Sequence, residues 1–214
     1  MSAMKLSAAQ RSALAAFLLE RFRCVVRSKG DAQEVALAAQ LFDVARLFGA
    51  RVPATADFLD RYWTTVGPVI FRPRGQTDDL GEHLRVISHE IEHVVGFWRD
   101  PAGFVARYGT KVGRAELEAE AERAAIEVGG LLPGELPASR DDLDVTRHGY
   151  ALDDASGAHD DHADLTRDLL ETAVTSTRAG VLSTDVGLAV AGWLVQRAPE
   201  ALLGRFAATH GGGL

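Results

Sequence analysis

The chain has 214 residues, of which 47% are hydrophobic and 25% charged, values that are ordinary for a soluble globular protein and exclude collagen, coiled coil and wholesale disorder. Its 23 Lys and Arg residues against 30 Asp and Glu residues give a net charge of −7, which argues against nucleic-acid binding because such surfaces are basic. A chain of this length buries roughly two-thirds of its unfolded surface without a disulfide or metal staple. A metal site in this chain is therefore not required for folding and can serve a function.

The N-terminal quarter predicts two antiparallel helices, a helical hairpin over residues 1–50. A capping box that begins at Ser7 precedes an apolar pattern of helical period, which continues to Gly30. A second capping box begins at Asp31, and the helix that it starts is expected to end at Gly49.

Two features of the chain bear on its location. Lys5, Arg11 and Glu20 interrupt the apolar stretches near the N-terminus before a secretory signal can form. The longest weakly charged segment, residues 186–195, is far shorter than the roughly 20 apolar residues that span a bilayer. We therefore expect a cytoplasmic protein with no membrane or nucleic-acid partner. The oligomeric state is not indicated by any pattern.

The next segment predicts a short helix, a strand and a longer helix. The short helix runs from Thr55 to about Trp63, and the β-branched, apolar residues 64–72 then predict a strand. Pro68 assigns this strand to the edge of a sheet, because proline cannot donate a ladder hydrogen bond. Thr77 can cap the following helix. Its apolar residues recur at helical spacing: Leu80, Leu84, Ile87, Ile91, Val94 and Val95.

The second half of the chain is predicted to be helical around one acidic loop. A loop at Asp100-Pro101 leads to a long helix that starts near Gly113 and ends before Gly129-Gly130. Residues 133–163 are rich in Pro, Gly, Ser and Asp and predict an exposed loop. The C-terminal helices occupy residues 164–205, with two helices at about 164–179 and 184–196.

The acidic loop also contains a cluster of residue types that bind metals, namely His159, Asp160, Asp161 and His162. The spacing of this cluster matches no calcium loop and lacks the bidentate glutamate that ends one. We therefore interpret it as part of a solvated acidic segment, although a second cation site is conceivable.

The chemistry of the chain is concentrated in an HExxH motif, which comprises residues 89–93 and lies in the middle of the predicted helix. Residues four apart share one helix face, so His89 and His93 can bind one Zn²⁺ together. Glu90 then lies beside the metal, where it can take a proton from the zinc-bound water and hand it to a leaving amine. The apolar neighbours of the motif predict a buried helix, and buried His and Glu side chains need partners.

The third ligand is expected from the glutamate-rich helix that follows. Its apolar residues define a buried face, and they are Leu117, Ala121, Ala124, Ala125 and Val128. Glu118 borders this face and is the preferred ligand, with Glu116 as the alternative. Glu122, one turn beyond Glu118, can accept the second N–H of a ligating histidine and fix its tautomer.

HExxH on one helix, followed some two dozen residues later by a Glu-x-Glu-Ala-Glu helix, resembles the gluzincin group of zinc metallopeptidases. The resemblance covers residues 64–128. It implies that two His and a downstream Glu hold the metal and that the Glu of HExxH is the general base. It also implies that the strand at residues 66–72 pairs with an extended substrate. The metzincin pattern is disfavoured because no third His or Met-turn follows the motif.

A zinc peptidase also needs a donor for the oxyanion of its tetrahedral intermediate. Tyr108 is the nearest candidate in the sequence, and Tyr150 and His148 are the others. We favour the simpler interpretation that Tyr108 packs with Phe104 and Trp98, and we assign the role to none of the three candidates.

Taken together, these patterns predict a single mostly helical α+β domain over residues 1–214. Its centre, residues 64–128, is expected to be a zincin-like core of edge strand, motif helix and glutamate helix, flanked by helical pairs. The predicted function is a zinc metallopeptidase that acts on a peptide or protein substrate. Its metal ligands are His89, His93 and Glu118, and its catalytic base is Glu90. The alternative is a non-catalytic structural, assembly or binding protein whose zinc site ties helices together.

Overall fold

The computed structural model describes residues 5–33, 35, 55–132 and 161–202. In this part of the chain the protein is α+β and mostly helical, as predicted. The elements are α1 (Ala8–Arg21), β1 (Val25–Ser28), α2 (Thr55–Asp60), β2 (Thr64–Val66), β3 (Val69–Arg72), a 3-10 turn (Leu80–His83), α3 (Leu84–Arg99), α4 (Pro101–Tyr108), α5 (Lys111–Leu131), α6 (Asp161–Arg178) and α7 (Asp185–Arg197).

The first helix is shorter than predicted. The predicted capping box is present, since Ser7 Oγ accepts from the Gln10 backbone N–H and the Gln10 side chain accepts from that of Ser7. However, α1 ends at Arg21, and Arg23 takes a φ of 54°, a left-handed conformation that turns the chain out of the helix. The helix predicted up to Gly30 is therefore wrong over its last part, where β1 forms instead.

The other half of the predicted hairpin begins at Asp31 and lies mostly outside the described residues. Its first residues are described at positions 31–33 and 35, and Val35 packs in a small apolar cluster with Leu59 and Phe71. The prediction of a second helix as far as Gly49 therefore stays a prediction.

Three strands form a sheet within the described residues, in the order β1-β3-β2. β1 pairs with β3 in parallel, and β2 pairs with β3 antiparallel, with Thr65 opposite Ile70. The single edge strand predicted for residues 64–72 is wrong, because Gly67 takes a φ of 56° and folds this run into a hairpin. Pro68 lies in the turn, so its missing N–H removes no ladder bond. β3 is the central strand and β2 lies at an edge.

The core lies between α1, α3, α5 and α7, with β3 at its border. The predicted apolar stripe of α3 is confirmed from Leu84 onward, where Leu84, Ile87, Ile91, Val94 and Val95 are buried. The predicted start of this helix is wrong, because Leu80 lies in the 3-10 turn, which Asp79 and not Thr77 caps. This stripe packs against α5, and the two helices form the most extensive contact in the described residues. The packing of α3 on α5 fixes the relative positions of the HExxH motif and the glutamates.

The loop predicted at Asp100-Pro101 is instead the start of α4. The Asp100 carboxylate accepts a hydrogen bond of 3.0 Å from the Gly103 backbone N–H, and Pro101 occupies the first helical turn. Both are standard signals of a helix N-terminus, because a carboxylate satisfies a free N–H there and proline has none to lose.

α5 begins two residues before the predicted Gly113 and continues through the predicted stop at Gly129-Gly130 to Leu131. Both glycines are buried inside the helix. Each costs about 1 kcal/mol relative to alanine in a helix, and the packing of α5 against α3, α6 and α7 outweighs this cost.

The two C-terminal helices, α6 and α7, agree with the prediction to within a few residues, with α6 beginning at Asp161. Most of the acidic loop predicted for residues 133–163 lies outside the described residues, as do the side chains of the His159 to His162 cluster. In the part of the chain that the structure describes, no helix is both long and apolar enough to cross a membrane.

Candidate metal centre

The HExxH motif lies on α3, whose apolar stripe holds the motif inside the protein. His89 is 2% exposed, and Glu90 and His93 are 7% and 8% exposed. The two imidazole rings lie one helical turn apart, with their centroids separated by 4.9 Å and their planes at 84°. The structure therefore has both histidines on one buried helix face, as the spacing of four residues predicts.

Glu118 of α5 lies directly opposite the two imidazoles. Its Oε2 atom is 3.2 Å from His89 Nε2 and 3.5 Å from His93 Nε2. One possible ligand atom from each of these three residues lies within 4.8 Å of the others, and all three residues are buried. Among the described residues, this is the group of His, Cys, Asp and Glu side chains that could hold a metal ion.

Glu116, the alternative third ligand, lies on the opposite face of α5. It is exposed, and its carboxylate accepts a hydrogen bond of 3.3 Å from Arg107, which also bonds to Glu120 at 2.9 Å. This pair of contacts ties α5 to α4 at the surface. The structure thus places Glu118, and not Glu116, beside the histidines.

Glu122 lies one turn beyond Glu118 and contacts the other side of the His89 ring. Its Oε2 atom is 3.4 Å from His89 Nδ1, and its Oε1 atom accepts a hydrogen bond from the Arg85 guanidinium. Glu122 is only 2% exposed, so Arg85 supplies the charge that balances this buried carboxylate. The arrangement suits the predicted role of holding His89 in one tautomer with Nε2 directed at Glu118.

The carboxylates set the protonation of the cluster. Burial lowers the pKa of His89, but the hydrogen bonds that its ring donates to the carboxylates of Glu118 and Glu122 outweigh this effect and raise the pKa to about 10. Burial likewise raises the pKa of Glu118, yet its hydrogen bonds to His89 and His93 hold it well below its usual range. In the metal-free protein these contacts favour the protonated form of His89 and the ionised form of Glu118. A cation that binds these atoms must displace a proton.

The donor atoms fit a zinc ion in chemistry, and Glu118 Oε2 lies at a suitable distance from each of the two imidazole nitrogens. Two imidazole nitrogens and one carboxylate oxygen form a known zinc ligand set that leaves a fourth position open. Tetrahedral ligands at bond lengths of about 2.1 Å lie roughly 3.4 Å from one another. The distances of 3.2 Å and 3.5 Å from Glu118 Oε2 to the two Nε2 atoms are close to this value.

Glu90 does not belong to this group of three, but it lies close to it. Its Oε2 atom accepts a hydrogen bond of 2.6 Å from Thr65 Oγ1, on strand β2. Its negative charge contributes to the raised pKa values of His89 and Tyr108. Sequence reasoning missed Thr65, because no local pattern connects a strand threonine to a glutamate 25 residues later.

Tyr108 packs against Phe104, as the simpler interpretation predicted. The two rings stack with their centroids 6.0 Å apart, and Phe104 in turn contacts His93 edge-on at 6.1 Å. Trp98 contacts Phe97 instead. Burial raises the pKa of the Tyr108 phenol to about 12, and the charges of Glu118 and Glu90 add to this, so the phenol is protonated at neutral pH.

The structure thus brings together His89, His93 and Glu118, with Glu90 and Glu122 beside them. Two other residues considered for the oxyanion, Tyr150 and His148, lie outside the described residues. No match to the chain was found among protein-family models, curated proteins or solved structures. The geometry of the site is therefore the basis for the functional inference.

Proposed function

We propose that this protein is a zinc-dependent metallopeptidase of gluzincin type with a zincin-like core. His89, His93 and Glu118 hold Zn²⁺, and Glu90 acts as the general base. The observation that supports this most strongly is the convergence of the two Nε2 atoms on Glu118 Oε2 at spacings suited to tetrahedral zinc.

When bound, zinc lowers the pKa of water to about 7 and polarises the carbonyl of the scissile bond. The protein supplies the remaining chemistry. Glu90 accepts a proton from the attacking water and passes it to the leaving amine. The Glu122 carboxylate, balanced by Arg85, keeps His89 in the tautomer that directs Nε2 into the site.

The ligand set favours catalysis over a purely structural zinc. Structural zinc sites are closed by four protein ligands, often cysteines, whereas catalytic sites use three and keep one position for water or substrate. The group within the described residues has three members, and Cys24 is buried in the apolar core instead. The carboxylate of Glu90 beside the group supplies the base that a structural site does not need.

A structural role is the second candidate, and one observation favours it. The candidate ligands bridge α3 and α5, whose contact is the most extensive in the described residues. Zinc bound there ties these helices together, as an assembly or binding protein needs. Removal of the metal separates the two candidates, because chelation unfolds a protein with a structural site and leaves the fold of an enzyme intact.

The test combines metal analysis with a search for cleavage. The purified protein is loaded with zinc and incubated with a peptide library prepared from a whole proteome, and mass spectrometry identifies newly formed termini. We expect one zinc per chain and cleavage that Glu90→Gln abolishes while zinc remains bound. Glu116→Gln, on the exposed face of α5, is the matched control and should cleave normally. Zinc-loaded wild type that cleaves no peptide refutes the proposal.

A further inference from the structure

We propose that Thr65 is a positioning residue for Glu90, an inference that rests on the proposed function. Its hydroxyl holds Oε2 of the Glu90 carboxylate, so that the other oxygen, Oε1, is presented to the attacking water. Thr65 is not one of the candidate metal ligands and acts through Glu90.

The contact between the two side chains is short and charge-assisted. Thr65 Oγ1 is 2.6 Å from Glu90 Oε2 and 3.4 Å from the Glu90 backbone carbonyl oxygen. The hydroxyl has one hydrogen to donate, and the shorter distance and the negative charge favour the carboxylate. Because Glu90 is only 7% exposed, solvent competes little for this bond.

Thr65 is held in place by the strand that carries it. It lies in the middle of β2 and pairs with Ile70 of β3, a fully buried core residue. Successive residues of a strand point to opposite faces, so Thr64 projects away from Glu90. β2 packs on α3, and this contact brings Thr65 to the HExxH motif.

A buried lysine anchors the opposite face of the same strand. Lys29 is 2% exposed, and its ammonium donates a hydrogen bond of 2.8 Å to Thr64 Oγ1. It also donates to the backbone carbonyls of Phe58 and Tyr62 at 2.7 Å each. β2 is thus fixed through Thr64 on one face, and its other face presents Thr65 to Glu90. A rigid donor of this kind restricts a carboxylate to one orientation before substrate binds.

Loss of the hydroxyl should therefore reduce the rate of catalysis and leave binding unchanged. A glutamate freed from Thr65 can rotate among its side-chain conformers, and a misplacement of about 1 Å can cost up to 100-fold in rate. Thr65→Val keeps the shape of the side chain and removes the donor. Thr65→Ser keeps the donor and removes a methyl group.

The experiment uses zinc-loaded full-length protein and the library peptide that the wild type cleaves best. We expect Thr65→Val to lower kcat by about 10- to 100-fold with KM changed less than twofold. Thr65→Ser should restore kcat to within about threefold of the wild type. The matched control is Thr175→Val, which removes an exposed threonine hydroxyl on α6, remote from β2 and Glu90, and should leave kcat unchanged. Zinc content should be one per chain in every variant.

A second readout measures the bond without relying on catalysis. A double-mutant cycle of Thr65→Val and Glu90→Ala, followed by urea unfolding of the metal-free protein, should show coupling of about fivefold or more in the unfolding equilibrium constant. If Thr65→Val does not fold, Thr65→Ala takes its place in both measurements.

The outcomes separate this inference from the proposed function. A wild type that cleaves, with Thr65→Val cleaving at the same kcat, overturns the positioning role alone. Coupling below twofold between the two positions also overturns it, whatever the activity. A wild type that binds zinc and cleaves no peptide refutes the proposed function, and the positioning role falls with it.

Discussion

Two buried glutamates of helix α5, Glu118 and Glu127, have very different surroundings. Glu118 and Glu127 are 8% and 1% exposed. Glu127 accepts hydrogen bonds of 2.6 to 3.0 Å from the backbone N–H and hydroxyl groups of Ser183 and Thr184. Glu118 instead faces two imidazoles. The partners of Glu127 are backbone N–H and hydroxyl groups, whereas the partners of Glu118 are imidazoles, which are common zinc ligands.

This difference shows that burial of a glutamate does not by itself indicate a functional site. Glu127 ties α5 to the N-terminus of α7, where Thr184 is also the capping residue, and its role is structural. Glu118 lies where its partners can be exchanged for a cation. Substitution of Glu127 should therefore reduce stability and leave metal binding unchanged, whereas substitution of Glu118 should abolish metal binding.

The largest expected change in stability follows from Glu127→Ala. The substitution leaves the donors of Ser183 and Thr184 without their acceptor, and breaking a buried charged network of this kind costs about 3 to 5 kcal/mol. Urea unfolding monitored by circular dichroism measures the loss. Zinc stoichiometry of the folded fraction should stay at one per chain. A variant as stable as the wild type contradicts the structural role of Glu127.

Glu122→Ala tests the support of the site rather than its ligands. Removing the partner of His89 Nδ1 should weaken zinc binding by about 10- to 100-fold, because the imidazole loses the group that orients it. Competition with a chromophoric zinc chelator measures the affinity. Glu120→Ala, an exposed glutamate two residues earlier on α5, is the control and should bind zinc like the wild type. Equal affinities for both variants exclude a role of Glu122 in the site.

The pH dependence of the metal-free protein tests the charge state of the cluster. The folded pKa of His89, about 10, lies above its usual value of 6.5, so its contribution to stability is complete below pH 6.5 and is lost as the pH rises through 10. In the presence of a chelator, the contribution of His89 to the free energy of unfolding should therefore fall between pH 7 and 9, by about 1 kcal/mol per pH unit.

The His89→Gln variant provides the reference for this measurement, since it cannot take up the proton. Lys29, whose pKa burial lowers to about 8, and Glu92, whose pKa burial raises to about 7, titrate in both proteins, so the difference between the two profiles measures His89 alone. A wild type whose profile has the same shape as that of His89→Gln contradicts the ion pair of His89 with Glu118.

The smallest expected effect is that of Glu116→Ala on the exposed face of α5. Its ion pair with Arg107 is about half exposed at both side chains, and such surface pairs contribute less than about 1 kcal/mol. Urea unfolding should give a change near 0.5 kcal/mol or less. A loss of several kcal/mol indicates that the face of α5 opposite the site is also structurally important.

The candidate residues at the centre of the site could be chosen from the sequence by helical geometry, whereas their meeting depends on the packing of α3 on α5. The spacing of His89 and His93 requires a common face, and the apolar stripe of α5 distinguishes Glu118 from Glu116. Each choice uses the period of one helix.

The predictions that were wrong are those in which tertiary contacts override a local sequence pattern. Residues 25–28 continue the apolar period of α1, but the left-handed turn at Arg23 releases them, and pairing with β3 makes them a strand. The two glycines at 129 and 130 read as a stop signal, yet the packing of α5 keeps them helical. Tertiary contacts decided both cases, and no local window contains them.

The contacts to Glu90 and to Thr64 could not be predicted for a related reason. Thr65 and Glu90 lie 25 residues apart, and Lys29 and Thr64 lie 35 apart. The sequence shows an ordinary threonine pair and one of three lysines. Only the packing of β2 on α3 and the position of β1 beside β3 turn them into partners.

Zinc titration of three proteins tests the central claim most directly. The wild type, Glu118→Ala and Glu116→Ala differ in one carboxylate each, on opposite faces of the same helix. The account predicts one tightly bound zinc per chain in the wild type and in Glu116→Ala, and a loss of more than 100-fold in affinity in Glu118→Ala. Equal zinc binding by Glu118→Ala and the wild type, or no stoichiometric zinc in the wild type, would contradict it.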